Sequence, residues 1–122
     1  YPFVGLSWKV AAGKYALKQA GVFPWRDRLR IYSFEASPLR ASQALEVYAD
    51  LEKTNLPTLY AAVSPFEDFA ESFAVWQHAV REKRPWLVQI AGRGKELHFQ
   101  SCLKTGTCPK KAAFMEQVFT KR

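Results

Sequence analysis

The chain holds two histidines, two cysteines and a single methionine among 122 residues. No site needing three imidazoles can be built from this chain by itself. Long apolar runs are also missing, and no stretch reaches the roughly 18 to 20 residues that a membrane span requires. The opening residues Tyr1-Pro2-Phe3-Val4 lack the basic start and apolar core of a signal peptide, and there is no initiator methionine. Such an abrupt start fits a mature product, a trimmed chain or a piece of something longer. What is present excludes disorder. Hydrophobic residues make up 48% of the chain, aromatics 15% and charged residues 24%, enough apolar material to bury a core. The length fits one compact domain.

Acid is the scarcer charge. Eleven Asp and Glu stand against eighteen Lys and Arg, a formal charge of +7. This balance favours polyanionic partners such as nucleic acid, anionic lipid or an acidic cell-wall polymer, and says nothing about the fold. In Trp25 to Ile31 the residues Arg26, Arg28 and Arg30 alternate with Trp25, Asp27, Leu29 and Ile31, which predicts an extended segment with one cationic face. Arg81, Lys83 and Arg84 form a second cluster. A secreted, non-catalytic module that binds an anionic polymer through these groups is one function the composition supports. No RNA-recognition or helix-turn-helix signature is present, so specific nucleic-acid recognition is not expected.

Cys102 and Cys108 flank Leu103-Lys104-Thr105-Gly106-Thr107. They are either free thiols or, the preferred reading, a disulfide closing a small loop that Gly106 turns. A disulfide implies an oxidising compartment, extracellular or periplasmic. A structural or inhibitor-like domain stapled by this bridge is a third possible function.

The elements predicted along the chain are α+β and rich in helix. Leu6 to Val10 and Lys14 to Lys18 suggest a short hairpin around Ala11-Ala12-Gly13, followed by a loop at Gly21-Val22-Phe23-Pro24. Ser42 to Lys53 carries Ala44, Leu45, Val47, Tyr48 and Leu51 at helical spacing. Ser64-Pro65-Phe66-Glu67 combines a capping Ser, a Pro at the first helical position and a Glu three residues after the cap. It predicts a helix from Pro65 to about Glu82, stopped by Pro85. Trp86 to Ala91 and Glu96 to Gln100 read as strands around a Gly92-Arg93-Gly94-Lys95 turn. Lys110 to Thr120 closes the chain as a helix with Ala113, Phe114, Val118 and Phe119 on its apolar face.

One segment combines several unusual features. The helix after Ser64 places Glu67 and Glu71 one turn apart on one face, beside an apolar stripe of Phe66, Phe69, Ala70 and Phe73. Like charges at that spacing disfavour a helix, so a cation is expected nearby, either a metal ion or an Arg such as Arg26 or Arg40. Bland readings stand beside this one. Glu67 sits where it could reach back to the Ser64 amide in a capping box, Glu71 could be a solvated helix residue, and Asp68 could serve only the helix dipole. Tyr60 could be a core or interface aromatic with one hydrogen bond for its hydroxyl.

Glu67-Asp68-Phe69-Ala70-Glu71 resembles the Glu-x-x-Ala-[Asp/Glu] element that carries the third zinc ligand in gluzincin metallopeptidases. Tyr60, seven residues before Glu67, is placed as in lethal-factor-like members of that group. The close resemblance spans about twenty residues, from Leu59 to Ala74, and Gly5-Leu6-Ser7-Trp8 extends it. It implies a zincin-like C-terminal subdomain in which Glu67 binds zinc and Glu71 holds the N–H of a ligating histidine. Tyr60 then donates its hydroxyl to the oxyanion formed at a peptide carbonyl. The family also needs a His-Glu-x-x-His helix, which this chain lacks: His78 and His98 stand alone, one read as a satisfied helix histidine and the other as a strand surface residue. Residues 1–122 are therefore expected to be a single domain or the C-terminal part of a peptidase domain, inactive alone, with the histidine ligands on an upstream segment. The implied cofactor is zinc and the implied substrate a peptide or protein.

Overall fold

The computed structural model describes residues 3–29, 41–92 and 94–120, with only the backbone of Ala41. Its elements are α+β, with two small antiparallel hairpins and a larger share of helix. The expected segments Arg30-Ile31 and Arg40, and the turn residue Arg93, lie outside the described residues.

The first hairpin joins β1 (Trp8–Ala11) to β2 (Lys14–Leu17), with Trp8 opposite Leu17 and Ala11 opposite Lys14. Leu6, expected in the strand, instead ends a 3₁₀ turn over Val4–Leu6. The two connecting residues Ala12 and Gly13 have φ of 52° and 74°, the left-handed pair that a tight hairpin loop needs. Glycine adopts this region freely, whereas the Ala12 Cβ is strained there. Ala12 is exposed. Ala12→Gly is therefore expected to stabilise the protein by about 0.5 kcal/mol, the relief of left-handed strain less the extra freedom of an unfolded glycine. A thermal midpoint unchanged or lowered in that variant would contradict this account.

The predicted cationic strand is corrected. Arg26–Arg28 is a 3₁₀ turn and not an extended segment. Trp25 donates its indole N–H to Asp50 at 2.9 Å, which ties the turn to α1 (Ala44–Leu51) and holds the Asp50 carboxyl below its usual range. In α1 the predicted face holds, with Val47 and Leu51 buried.

The capping Ser and N1 Pro start α2 (Pro65–Val75) where the sequence places it, with the Ser64 hydroxyl accepting from the Glu67 amide at 3.2 Å. Beyond Val75 the chain continues as a π-helix over Trp76–Arg81, and the Glu82 amide donates five residues back to Gln77. His78 joins its end to the next strand through an Nε2 contact of 3.0 Å with the Pro85 carbonyl.

The second hairpin, β3 (Leu87–Gly92) with β4 (Lys95–Gln100), forms where two strands were expected, with Ala91 opposite Glu96, and packs on α1. A short helix α3 (Cys102–Thr105) ends at Gly106 with φ of 85°, so the backbone turns back toward Cys108. The Cys102–Cys108 disulfide is formed. Helix α4 (Pro109–Thr120) starts directly after it.

The core has two parts. One gathers Trp8, Leu17, Phe23, Val47, Leu51, Leu56, Ile90 and Phe99 under the hairpins and α1. The other gathers Phe3, Val75, Trp76, Ala79, Leu103, Met115 and the disulfide. Between them the helix faces differ from the apolar stripes in the sequence. In α2 the buried line is Pro65, Asp68, Ser72 and Val75, while Phe66 is 72% exposed and Phe69 37%. In α4 the buried residues are Lys111 and Met115, with Val118 and Phe119 exposed. The physical reason is a charge pair, described next.

Candidate functional site

Helix α2 is held by its own polar side. Asp68, fully buried, accepts two hydrogen bonds from Lys111 Nζ at 2.9 and 2.8 Å, one from the Trp8 indole N–H at 3.0 Å and one from the Ser72 hydroxyl at 3.1 Å. Lys111 Nζ also lies 5.4 Å from the centroid of the Phe3 ring. The pair thus joins Trp8 of one core to Phe3 of the other. Burial pushes the Asp68 carboxyl up and the Lys111 ammonium down, and each is opposed by the partner's charge. Sequence reasoning missed this pair and assigned Asp68 only a dipole role. The sole hint was a lysine at a helix position that also faces inward, three residues after the second cysteine.

The preceding 3₁₀ turn, Tyr60–Ala62, packs against α2 with Ala61 and Ala62 fully buried. Arg26 fixes the corner between them. Its Nε donates to the Ala62 carbonyl at 3.0 Å and one terminal nitrogen to the Val63 carbonyl at 2.9 Å, while the other reaches the Tyr15 carbonyl at 3.3 Å. Its guanidinium carbon stands 4.9 Å from the Trp8 ring centroid. Arg26 was one cation expected to face Glu67 and Glu71. It serves backbone carbonyls instead, and Arg40 lies outside the described residues.

At helical spacing, Glu67 and Glu71 flank the buried line of α2 on one side, while Phe69, Phe73 and Phe66 flank it on the other. Both glutamates are half-buried. Glu71 is anchored: the Thr58 hydroxyl donates to its Oε1 at 2.8 Å and accepts from the Ala61 amide at 3.2 Å, so Thr58 links this carboxylate to the Tyr60 turn. The Glu67 carboxylate makes no hydrogen bond or ion pair with the described residues, and the reciprocal half of a capping box is not formed there. Tyr60 is half-buried at the start of its turn.

Among the described residues no three His, Cys, Asp or Glu side chains gather to hold a metal ion. The two carboxylates, one unengaged and one anchored, could offer a zinc ion one ligand and one supporting acceptor, and a catalytic zinc would need its imidazoles from elsewhere. Neither histidine of this chain contributes: His78 faces Pro85 and Trp86, and His98 pairs with Glu96 at 3.0 Å on exposed β4.

The basic clusters are dispersed. Arg26 points inward, Arg28 lies 5.7 Å from the Trp25 ring, Arg81 lies 5.7 Å from the Trp76 ring and Arg84 pairs with Glu82 at 3.2 Å. Among the described residues no helix is long and apolar enough to cross a membrane. No protein-family model, curated protein or solved structure matches the chain.

Proposed function

We propose that residues 1–122 are the glutamate-bearing, zincin-like portion of a zinc metallopeptidase, with the paired histidines supplied from outside these residues. The observation that carries this reading is the contrast between two carboxylates on one flank of α2. Glu71 is held by Thr58, whereas Glu67, one turn earlier, is half-buried and its carboxylate has no partner among the described residues. A metal ligand has to keep its oxygens for the ion. A supporting acceptor has to be fixed in place and keep an oxygen for an imidazole N–H. Glu67 and Glu71 divide in this way.

Zinc, when bound, would polarise the scissile carbonyl and make water more acidic. Glu71 Oε2 would receive the N–H of an incoming imidazole and so set its ring orientation and tautomer. Tyr60 would donate its phenolic O–H to the charge developing on the carbonyl oxygen, from a turn that Arg26 and Thr58 hold against α2. The substrate class is a peptide or protein. The disulfide supports an extracellular or periplasmic setting.

The test uses the full polypeptide that carries these residues. It is expected to contain a His-Glu-x-x-His segment and to purify with stoichiometric zinc by elemental analysis. Glu67→Ala should lose that zinc. Tyr60→Phe should keep it while turnover falls about 100-fold or more. A full polypeptide without paired histidines, or zinc content indifferent to Glu67→Ala, overturns the reading.

A further inference from the structure

The first hairpin ends in an apolar tip. Between Lys9 and Lys14 the chain reads Val10-Ala11-Ala12-Gly13, and all four residues are exposed. A two-residue hairpin turn is ordinarily filled by Asn, Asp or Gly, which tolerate positive φ and suit a turn that faces water. Here an alanine holds the first position at φ of 52° against its own Cβ. Contact with water alone gives no reason for an alanine there.

One face of this hairpin is core at its base and bare at its tip. Trp8 and Leu17, cross-strand partners at the base, are buried. The next pair on that face, Val10 with Tyr15, is 69% and 38% exposed. Helix α2 adds a further ring: Phe66, 72% exposed, meets Tyr15 edge to face with 6.1 Å between centroids. Val10, Tyr15 and Phe66 thus form one continuous patch rather than scattered apolar residues, and such a patch marks a contact surface.

Charge decides what covers it. Residues 1–26 hold Lys9, Lys14, Lys18 and Arg26 and no acidic residue. Lys9 and Lys14 are exposed on either side of the tip and make no ion pair with the described residues. Of the carboxylates at the neighbouring start of α2, Asp68 is neutralised by Lys111, and Glu67 is half-buried on the flank away from Phe66. A second copy of this chain would set a second charge of +7 and a second pair of lysines against the first. An anionic bilayer supplies the charge opposite to the lysines and an apolar layer for the tip. Its headgroup region also suits a tyrosine, apolar in body and polar at its end.

We propose that the β1–β2 tip and Phe66 form a docking surface for an anionic lipid membrane. Val10, Ala12 and the Phe66 ring enter the boundary between headgroups and acyl chains, with Tyr15 at headgroup level. Lys9 and Lys14, on the hairpin's other face, extend back to the lipid phosphates. None of these contacts uses Tyr60, Glu67 or Glu71, so the docking stands or falls independently of the zinc reading.

Sedimentation of the 122-residue chain with phosphatidylcholine vesicles, pure or containing about 30% phosphatidylglycerol, tests the docking. Partition is expected to be about tenfold or more stronger with phosphatidylglycerol. Val10→Ser/Phe66→Ser changes only exposed side chains, so its thermal midpoint should match the parent's, while its partition falls about tenfold or more. Lys9→Gln/Lys14→Gln should weaken partition by a similar factor and make it less sensitive to salt. A folded parent that does not bind the anionic vesicles overturns the proposal, as does equal binding to pure phosphatidylcholine. A folded Val10→Ser/Phe66→Ser variant that binds like the parent overturns it too, because adsorption then rests on net charge alone. A dimer of the free chain that this variant abolishes would identify a second copy as the occupant and overturn it equally.

Discussion

Replacing Lys111 by Met is expected to cost about 3 to 5 kcal/mol of stability, measured by urea unfolding. Methionine fills much of the lysine's volume, so the loss is electrostatic and not a cavity effect. It leaves the Asp68 carboxylate buried with two neutral donors, Trp8 and Ser72, and no cation. The double variant Asp68→Asn/Lys111→Met should recover more than half of that loss. An amide oxygen at residue 68 still accepts the Trp8 indole, and no charge remains to be compensated. The contrast follows from the direction of both pKa displacements. Burial moves Asp68 up and Lys111 down, each toward its neutral form, so the pair pays much of its attraction back as desolvation. Its value is in specifying the geometry: only one rotation of α2 lets Asp68 meet Lys111, and that rotation places Glu67 and Glu71 on the flank beside the Tyr60 turn. A Lys111→Met variant within about 1 kcal/mol of the parent would show that the ammonium is not what holds α2 in place.

Local signals were legible in the sequence where a residue acts on its own neighbourhood. Ser64 and Pro65 start a helix because a hydroxyl and a fixed φ serve that role in any context, and α2 begins there. The second hairpin and the Gly106 turn follow for the same reason, since glycine at positive φ is a local requirement. The expected bridge between Cys102 and Cys108 is formed as well. What the apolar spacing did not reveal was the buried line. Phe69 and Phe73 of the stripe pack on Phe3, Trp76, Phe114 and Phe119, yet the fully buried positions are Asp68 and Ser72, because Lys111, 43 residues away, is there to receive the Asp68 carboxylate. No local pattern encodes a partner at that separation. The Arg26, Arg28 and Arg30 alternation misled similarly. Arg26 is drawn inward by the unpaired carbonyls of Ala62 and Val63, which belong to a turn far along the chain. Within the candidate site, the sequence marked Tyr60, Glu67 and Glu71 but not the Thr58 contact that distinguishes the two glutamates.

Arg26→Met is expected to cost about 2 to 3 kcal/mol, and Arg26→Lys should recover less than half of it. The guanidinium makes three directed bonds to carbonyls from two parts of the chain, at 3.0, 2.9 and 3.3 Å, and faces the Trp8 ring. A lysine ammonium is a single point with a different reach and cannot meet the Ala62 and Val63 carbonyls as a fork does. Burial pushes the Arg26 pKa down against the opposing pull of Asp27, so this charge has been partly withdrawn from water to cap backbone. The loss should also be local. Ala62 and Val63 lead directly into the Ser64 cap, so exchange of the Glu67 amide, which that cap receives, should accelerate in Arg26→Lys while β3 and β4 are unaffected. A guanidinium that merely decorated the surface would give a lysine variant as stable as the parent, with the Glu67 amide unmoved. If the corner loosens as expected, the Tyr60 turn and the start of α2 lose their common anchor. On the proposed function, metal retention and turnover in the full polypeptide should then fall together, although Arg26 touches neither Glu67 nor Glu71.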